Sequence, residues 1–199
     1  MKYTLGNKII FAKVMQNPRF ASFVIKTFYP DIKIKDIENI AARFDDLNYD
    51  YFHVQINFVN EDGEHCVAIV QLVDNQDLAE LSRYYSELVT QETQNFGTPL
   101  YLAYIDRNNY NNFAELIRVL PVTPLATIMA VGAGKTKEAV KDAQELAALI
   151  EGKTVTENDI LKKAEVEMEL LNYDRNVLGM IKAFEKYEWR CKEWSYLIK

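Results

Sequence analysis

Residues 51–73 read YFHVQINFVNEDGEHCVAIVQLV, and the way this stretch folds decides the rest of the chain. Val54, Ile56 and Phe58 alternate with His53, Gln55 and Asn57, the period-two pattern of a strand with one buried face. After Asn60-Glu61-Asp62-Gly63-Glu64 comes a nearly continuous apolar run, Cys66 to Leu72, so the stretch reads as a β-hairpin. Two registers compete. A two-residue Asp-Gly loop pairs Gln55 with Val70 and mixes polar with apolar side chains on both faces. A three-residue loop, Glu61-Asp62-Gly63 with Gly63 left-handed, pairs Gln55 with Ile69. It then gathers Val54, Ile56, Phe58, Cys66, Ala68, Val70 and Leu72 on one face. A one-residue slip moves every side chain to the opposite face, so burial selects the register with the clean apolar face. The other face carries His53, Gln55, Asn57, Val67, Ile69 and Gln71.

Upstream, Asn17-Pro18 reads as an N-cap followed by proline at the first helical position. Phe20, Phe23, Val24 and Phe28 recur at helical spacing until Pro30. Ile32 to Phe44 reads as short extended structure. Downstream, a long helix is expected from about Asn75 to Phe96, stopped by Gly97. Leu100 to Ile105 and Leu125 to Val131 read as strands, with a short helix from Asn111 to Leu120 between them. The last third is helical. Thr136 caps a helix through Ile150, and Thr154-Val155-Thr156-Glu157 fits a capping box opening a second. A tail from Asn176 to Ile198 carries Leu178, Ile181, Phe184, Tyr187, Trp194 and Leu197 on a broad stripe. The expectation is one α/β (α+β) domain with a central mixed sheet, its hairpin flanked by helices. Residues 1–135 form the core, and residues 136–199 form a C-terminal helical extension packed on it.

The composition, with 49% hydrophobic and 26% charged residues, is that of a globular chain. Apolar runs fall short of the roughly 20 residues of a membrane span. The first twenty residues lack the apolar run and cleavage site of a leader. Cys66 and Cys191 are distant in sequence and read as reduced thiols, so a cytoplasmic location is expected. The formal net charge is −6, with residues 51–160 carrying seven basic and sixteen acidic side chains. Nucleic-acid backbones are bound by clustered Lys and Arg, so charge does not support a nucleic-acid partner here.

Four stretches together carry a resemblance: Ile9-Ile10-Phe11-Ala12-Lys13-Val14-Met15, Ile34-Lys35-Asp36-Ile37-Glu38-Asn39, the hairpin with Asp62-Gly63 and Gln71, and Arg83-Tyr84-Tyr85-Ser86-Glu87-Leu88 followed by Gly97. In order and spacing, across roughly residues 7–105, they resemble the recombination-promoting nuclease and putative transposase family of the PD-(D/E)XK superfamily. The resemblance implies a restriction-endonuclease-like core and Mg²⁺-dependent cleavage of DNA. It also implies where the metal-binding acids would stand, and this chain departs from the pattern at each place. The first acid, eight residues before the turn glycine, is replaced by Gln55. The second, two residues before Gln71, is replaced by Ile69. An acid near the start of the N-terminal helix is replaced by Lys8 or Asn7. An amide is a weak ligand for Mg²⁺, and isoleucine is not a ligand at all. The family-equivalent positions Gln55, Ile69 and Gln71 therefore give no catalytic residue, and no cofactor is expected. An active divergent nuclease would need Mg²⁺ and relocated acids, for which Asp50, Asp74 and Asp77 are the candidates.

Other motifs have plainer readings. Gly132-Ala133-Gly134-Lys135-Thr136 lacks the first glycine of a phosphate-binding loop, whose place is taken by Met129, and reads as a strand-to-helix turn. His53 is a polar residue of the hairpin's second face, and His65 is solvated just past the turn. Arg83 and Tyr84 border a core position held by Tyr85, or else face a partner. The tail aromatics Tyr187, Trp189, Trp194 and Tyr196 either cover the core or form a protein or homodimer interface. The binding candidates are His53, Arg83, Tyr84 and Trp194. The functional expectation is a binding or regulatory protein of a mobile element or phage that has lost the nuclease reaction.

Overall fold

The computed structural model describes residues 2–43, 52–73, 84–85, 98–106, 117–118, 137–155 and 157–197. Its hairpin has the three-residue loop. Strand β2 (His53–Asn60) pairs antiparallel with β3 (His65–Val73), with Gln55 opposite Ile69 and Val59 opposite His65. Gly63 has φ +83°, where only glycine sits without strain. Asn60 closes the turn. Its carbonyl accepts from Gly63 N–H at 3.1 Å, and its side-chain oxygen accepts from Glu64 N–H at 2.8 Å.

Strand β1 (Ile34–Arg43) pairs antiparallel with β2, β4 (Leu100–Asp106) runs parallel to β3, and a two-residue β5 (Ile117–Arg118) pairs antiparallel with β4. The sheet is mixed, ordered β1-β2-β3-β4-β5. A parallel β3–β4 pair needs a crossover connection, normally a helix. Of the helix expected over 75–96, the described residues are Tyr84 and Tyr85, and both are helical.

Residues 34–43, within the segment expected to be extended, form a ten-residue strand, with irregularities between Ile34 and Asp36 and between Ile37 and Asn39. Those bulges and an edge-like exposure erase the alternation that would have announced a strand. Ile117 and Arg118, expected in a helix, instead pair with Ile105 and Tyr104. Sheet pairing overrides local propensity there. The strand expected at 125–131 lies outside the described residues.

Helices α1 (Lys8–Met15) and α2 (Pro18–Phe28) are capped by Asn7 and Asn17. Asn7 Oδ1 accepts from Ile9 and Ile10 N–H, and Asn17 Oδ1 accepts from Arg19 N–H at 3.0 Å. Proline occupies the first position of α2, where its missing N–H is no loss. Helix α3 (Lys137–Ile150) ends on Gly152 at φ +82°. Lys153 N–H reaches Ala148 O at 2.8 Å and Gly152 N–H reaches Leu149 O at 3.1 Å, a Schellman closure. A Cβ at Gly152 would lie 2.6 Å from Thr4, where the N-terminal strand of chain docks through Thr4 Oγ1 to Ile150 O.

Helix α4 (Asp159–Leu171) starts at Asn158, not at Thr154. Asn158 Oδ1 accepts from Ile160 and Leu161 N–H at 2.9 and 3.2 Å, while its Nδ2 donates to Asp142 on α3. Asparagine is the stronger N-cap, and Val155 is buried in the core. Helix α5 (Arg175–Leu197) follows.

The apolar face of the hairpin lies under α1 and α2. Ile56, Phe58 and Val70 are fully buried with Ile10, Phe20 and Phe28, and the same cluster runs on through Leu146, Leu161 and Ile181 of the C-terminal helices. Each such side chain contributes about 1.5–3 kcal/mol relative to exposure. No helix among the described residues is long and apolar enough to cross a membrane.

Candidate functional site

The register places the family-equivalent positions on the second face of the sheet. Reading across the strands, Arg43 pairs with His53, and Gln71 pairs with Tyr104. The next row is Ala41, Gln55, Ile69 and Leu102. His53, Gln55 and Gln71 are therefore neighbours, as the sequence requires. They are not exposed. His53 is 2%, Gln55 4% and Gln71 1% accessible, and Ile69 is fully buried.

Tyr85 covers them. It is itself fully buried, and its hydroxyl donates to Gln71 Oε1. Its ring meets the His53 ring edge-on at 4.7 Å, the Tyr84 ring at 5.2 Å and the Tyr104 ring at 6.5 Å. Around this polar group, Val67, Ile69, Val73, Leu100 and Leu102 form a second hydrophobic cluster with Tyr85 and Tyr104. Gln55 Nε2 donates to Asn57 Oδ1 at 3.2 Å. Buried polar groups are tolerated when bonded in this way, and such networks specify one packing.

The second face, on which the sequence places His53 and Gln71, is thus packed as a core and is not an open polar surface. Val67 and Ile69, apolar on an otherwise polar face, are the signal in the sequence for that burial. Tyr84 is half-buried at its border. Asp50, Asp74, Asp77 and Arg83 lie outside the described residues, as do residues 131–136 of the glycine-rich turn. Trp194 falls within α5, but its side chain is outside what the structure describes.

Electrostatically, the group formed by His53, Gln55, Gln71, Tyr85 and Tyr104 contains no carboxylate. Glu38 stands at the turn end of the sheet with His65, Nδ1 to Oε1 3.1 Å, and both are exposed. His65 pairs with Val59, four residues along β2 from Gln55, so about 13 Å separate the two ends. Among the described residues, no three His, Cys, Asp or Glu side chains come together as a metal site would need.

On the opposite side of the sheet, Cys66 is buried, and burial followed by the nearby Glu64 charge pushes its thiol up to about 11. Tyr101 beside it is pushed up to about 12, mainly by burial and then by Cys66. Neither is poised as a nucleophile near neutral pH. A cleft of about 800 Å³ opens between α2 and the start of β1. Arg19, Lys26 and Lys35 share its rim with Asp31, Asp36 and Asp142, so its charge selects no one ligand class. Comparison of the chain with protein-family models, with curated proteins and with solved structures returns no match.

Proposed function

We propose that this chain is a binding or regulatory protein without nuclease activity, built on a degenerate PD-(D/E)XK-like framework of the recombination-promoting nuclease and putative transposase kind. It acts in the cytoplasm, in the service of a mobile element or phage, without a metal cofactor. Its partner is a protein or a second copy of itself, engaged through the C-terminal helices. One observation carries the reading: at Gln55, Ile69 and Gln71 the sheet face is neutral and packed beneath Tyr85. Metal-assisted phosphodiester hydrolysis needs hard anionic oxygens to hold Mg²⁺ and a wet surface to admit the strand. Among the described residues this face supplies neither. The C-terminal helices support the partner assignment, because Trp189, Tyr173 and Leu170 are 59%, 75% and 68% exposed.

The test is incubation of the purified protein with supercoiled plasmid and Mg²⁺ or Mn²⁺. The plasmid is expected to stay intact. Metal-dependent nicking that Asp50→Ala or Asp74→Ala abolishes would establish the contrary reading, a divergent nuclease with relocated acids.

A further inference from the structure

Helix α4 is amphipathic twice over. Leu161, Ala164 and Met168 face the core, while Val166 and Leu170 stand one turn apart on the solvent side and Tyr173 follows in the turn beyond the C-cap Asn172; the three are 58%, 68% and 75% exposed. Exposed apolar residues are ordinary when scattered, but neighbours on one side of a helix need a reason.

On this face Lys162 and Lys163 stand on the N-terminal side of Val166 and Glu169 on its C-terminal side, while Asp159 occupies the first turn and the last turn carries no basic residue. A last turn with an anion and no cation is the end that the helix's own dipole leaves unfavoured. The arrangement suits a neighbour that runs the other way. Against a parallel copy of α4, lysines would meet lysines. Against an antiparallel copy with a two-fold axis at Val166, Lys163 of each molecule lies opposite Glu169 of the other. Lys162 then lays its aliphatic stem along Leu170, and the helix dipoles oppose. Glu169 also holds Lys2 at 3.1 Å, with half its surface still open.

We infer that the outer face of α4 is a self-complementary surface on which a second copy of this chain docks antiparallel. This deepens, and rests on, the reading of the C-terminal helices as a docking surface. Val166 and Leu170 are only about 6 Å apart along the helix. A patch of this size falls well short of the roughly 800 Å² per partner of a standard interface, so the dimer is a weak one, forming at micromolar to millimolar concentration.

Sedimentation velocity of the full chain over a hundredfold concentration range reads the association. Wild type is expected to shift from monomer to dimer. Leu170→Lys abolishes the shift while circular dichroism is unchanged, since the residue is exposed. Lys163→Glu and Glu169→Lys each weaken self-association about tenfold, because each sets like charges opposite one another twice. An equimolar mixture of those two variants regains wild-type association, because every pair is then complementary. Wild type that stays monomeric throughout overturns the inference yet leaves the plasmid result, and with it the non-catalytic reading, untouched. Dimers of wild-type strength from the two charge variants alone, or no recovery on mixing, overturn it as well.

Discussion

Gln55→Glu places on β2, in nearly the same volume, the acid that the resemblance to the nuclease family would call for. At a wet metal site it would be harmless. In this structure position 55 is 4% exposed and its amide hydrogen bonds to Asn57, so the new carboxylate is taken out of water. Burial disfavours the charged form, and fully buried acids shift upward by about 3–5 units. Taking about 3 units at 1.36 kcal/mol each gives about 4 kcal/mol, a large part of a typical folding stability of 5–15 kcal/mol. The sign follows from linkage. The folded pKa lies above the unfolded value near 4.3, so the penalty is absent below that pH and grows as pH rises towards the folded pKa. Urea unfolding should therefore show a loss of about 1 kcal/mol near pH 5 and about 4 kcal/mol near pH 8, with the m-value unchanged. A loss below about 0.5 kcal/mol at both pH values would mean that the side chain reaches water, and would refute the burial of this face. Stabilisation of the variant by millimolar Mg²⁺ would refute it too.

Three further outcomes are expected. Gly63→Ala should cost about 1 kcal/mol in thermal or urea unfolding, from backbone strain at φ +83° alone, since nothing lies within 4 Å of the added Cβ. Asn158→Ala should lower stability by about 1 kcal/mol and Thr154→Ala by clearly less, a ranking that a capping box at Thr154 would reverse. The Cys66 thiol is held neutral by burial, so its contribution is intact below the unfolded thiol pKa and fades as pH climbs from about 9 towards about 11. Melting temperature should fall over that window less steeply in Cys66→Ala, measured against its own value at neutral pH, and equal slopes in the two proteins would contradict the assignment.

The hairpin was legible because its apolar residues alternate strictly enough that one register alone gives a uniform face, and the loop glycine agrees with it. Asn17-Pro18 was legible for the same reason, two local signals pointing one way. What escaped was set by contacts distant in sequence. Residues 34–43 carry bulges and exposed charges, so their membership of the sheet depends on β2 and not on their own pattern. Thr154 lost the cap to Asn158 because Val155 has a place in the core and Asn158 a partner in Asp142. The candidate site shows the limit most clearly. Periodicity placed His53, Gln55 and Gln71 on one face, but whether that face meets water depends on Tyr85, fourteen residues further along the chain than Gln71. Amphipathic patterning identifies the more apolar side of a sheet, and the sign that the other side is also covered lies in Val67 and Ile69, which break its polar pattern.

The most direct test of the central claim is Mn²⁺ titration of the isotope-labelled protein, followed through paramagnetic broadening of the Gln55 and Gln71 side-chain amides and the Ile69 methyls. These resonances are expected to stay as sharp as others in the core at millimolar Mn²⁺. Selective loss of all three, ahead of exposed carboxylates such as Glu38, would place a metal on this face and contradict it.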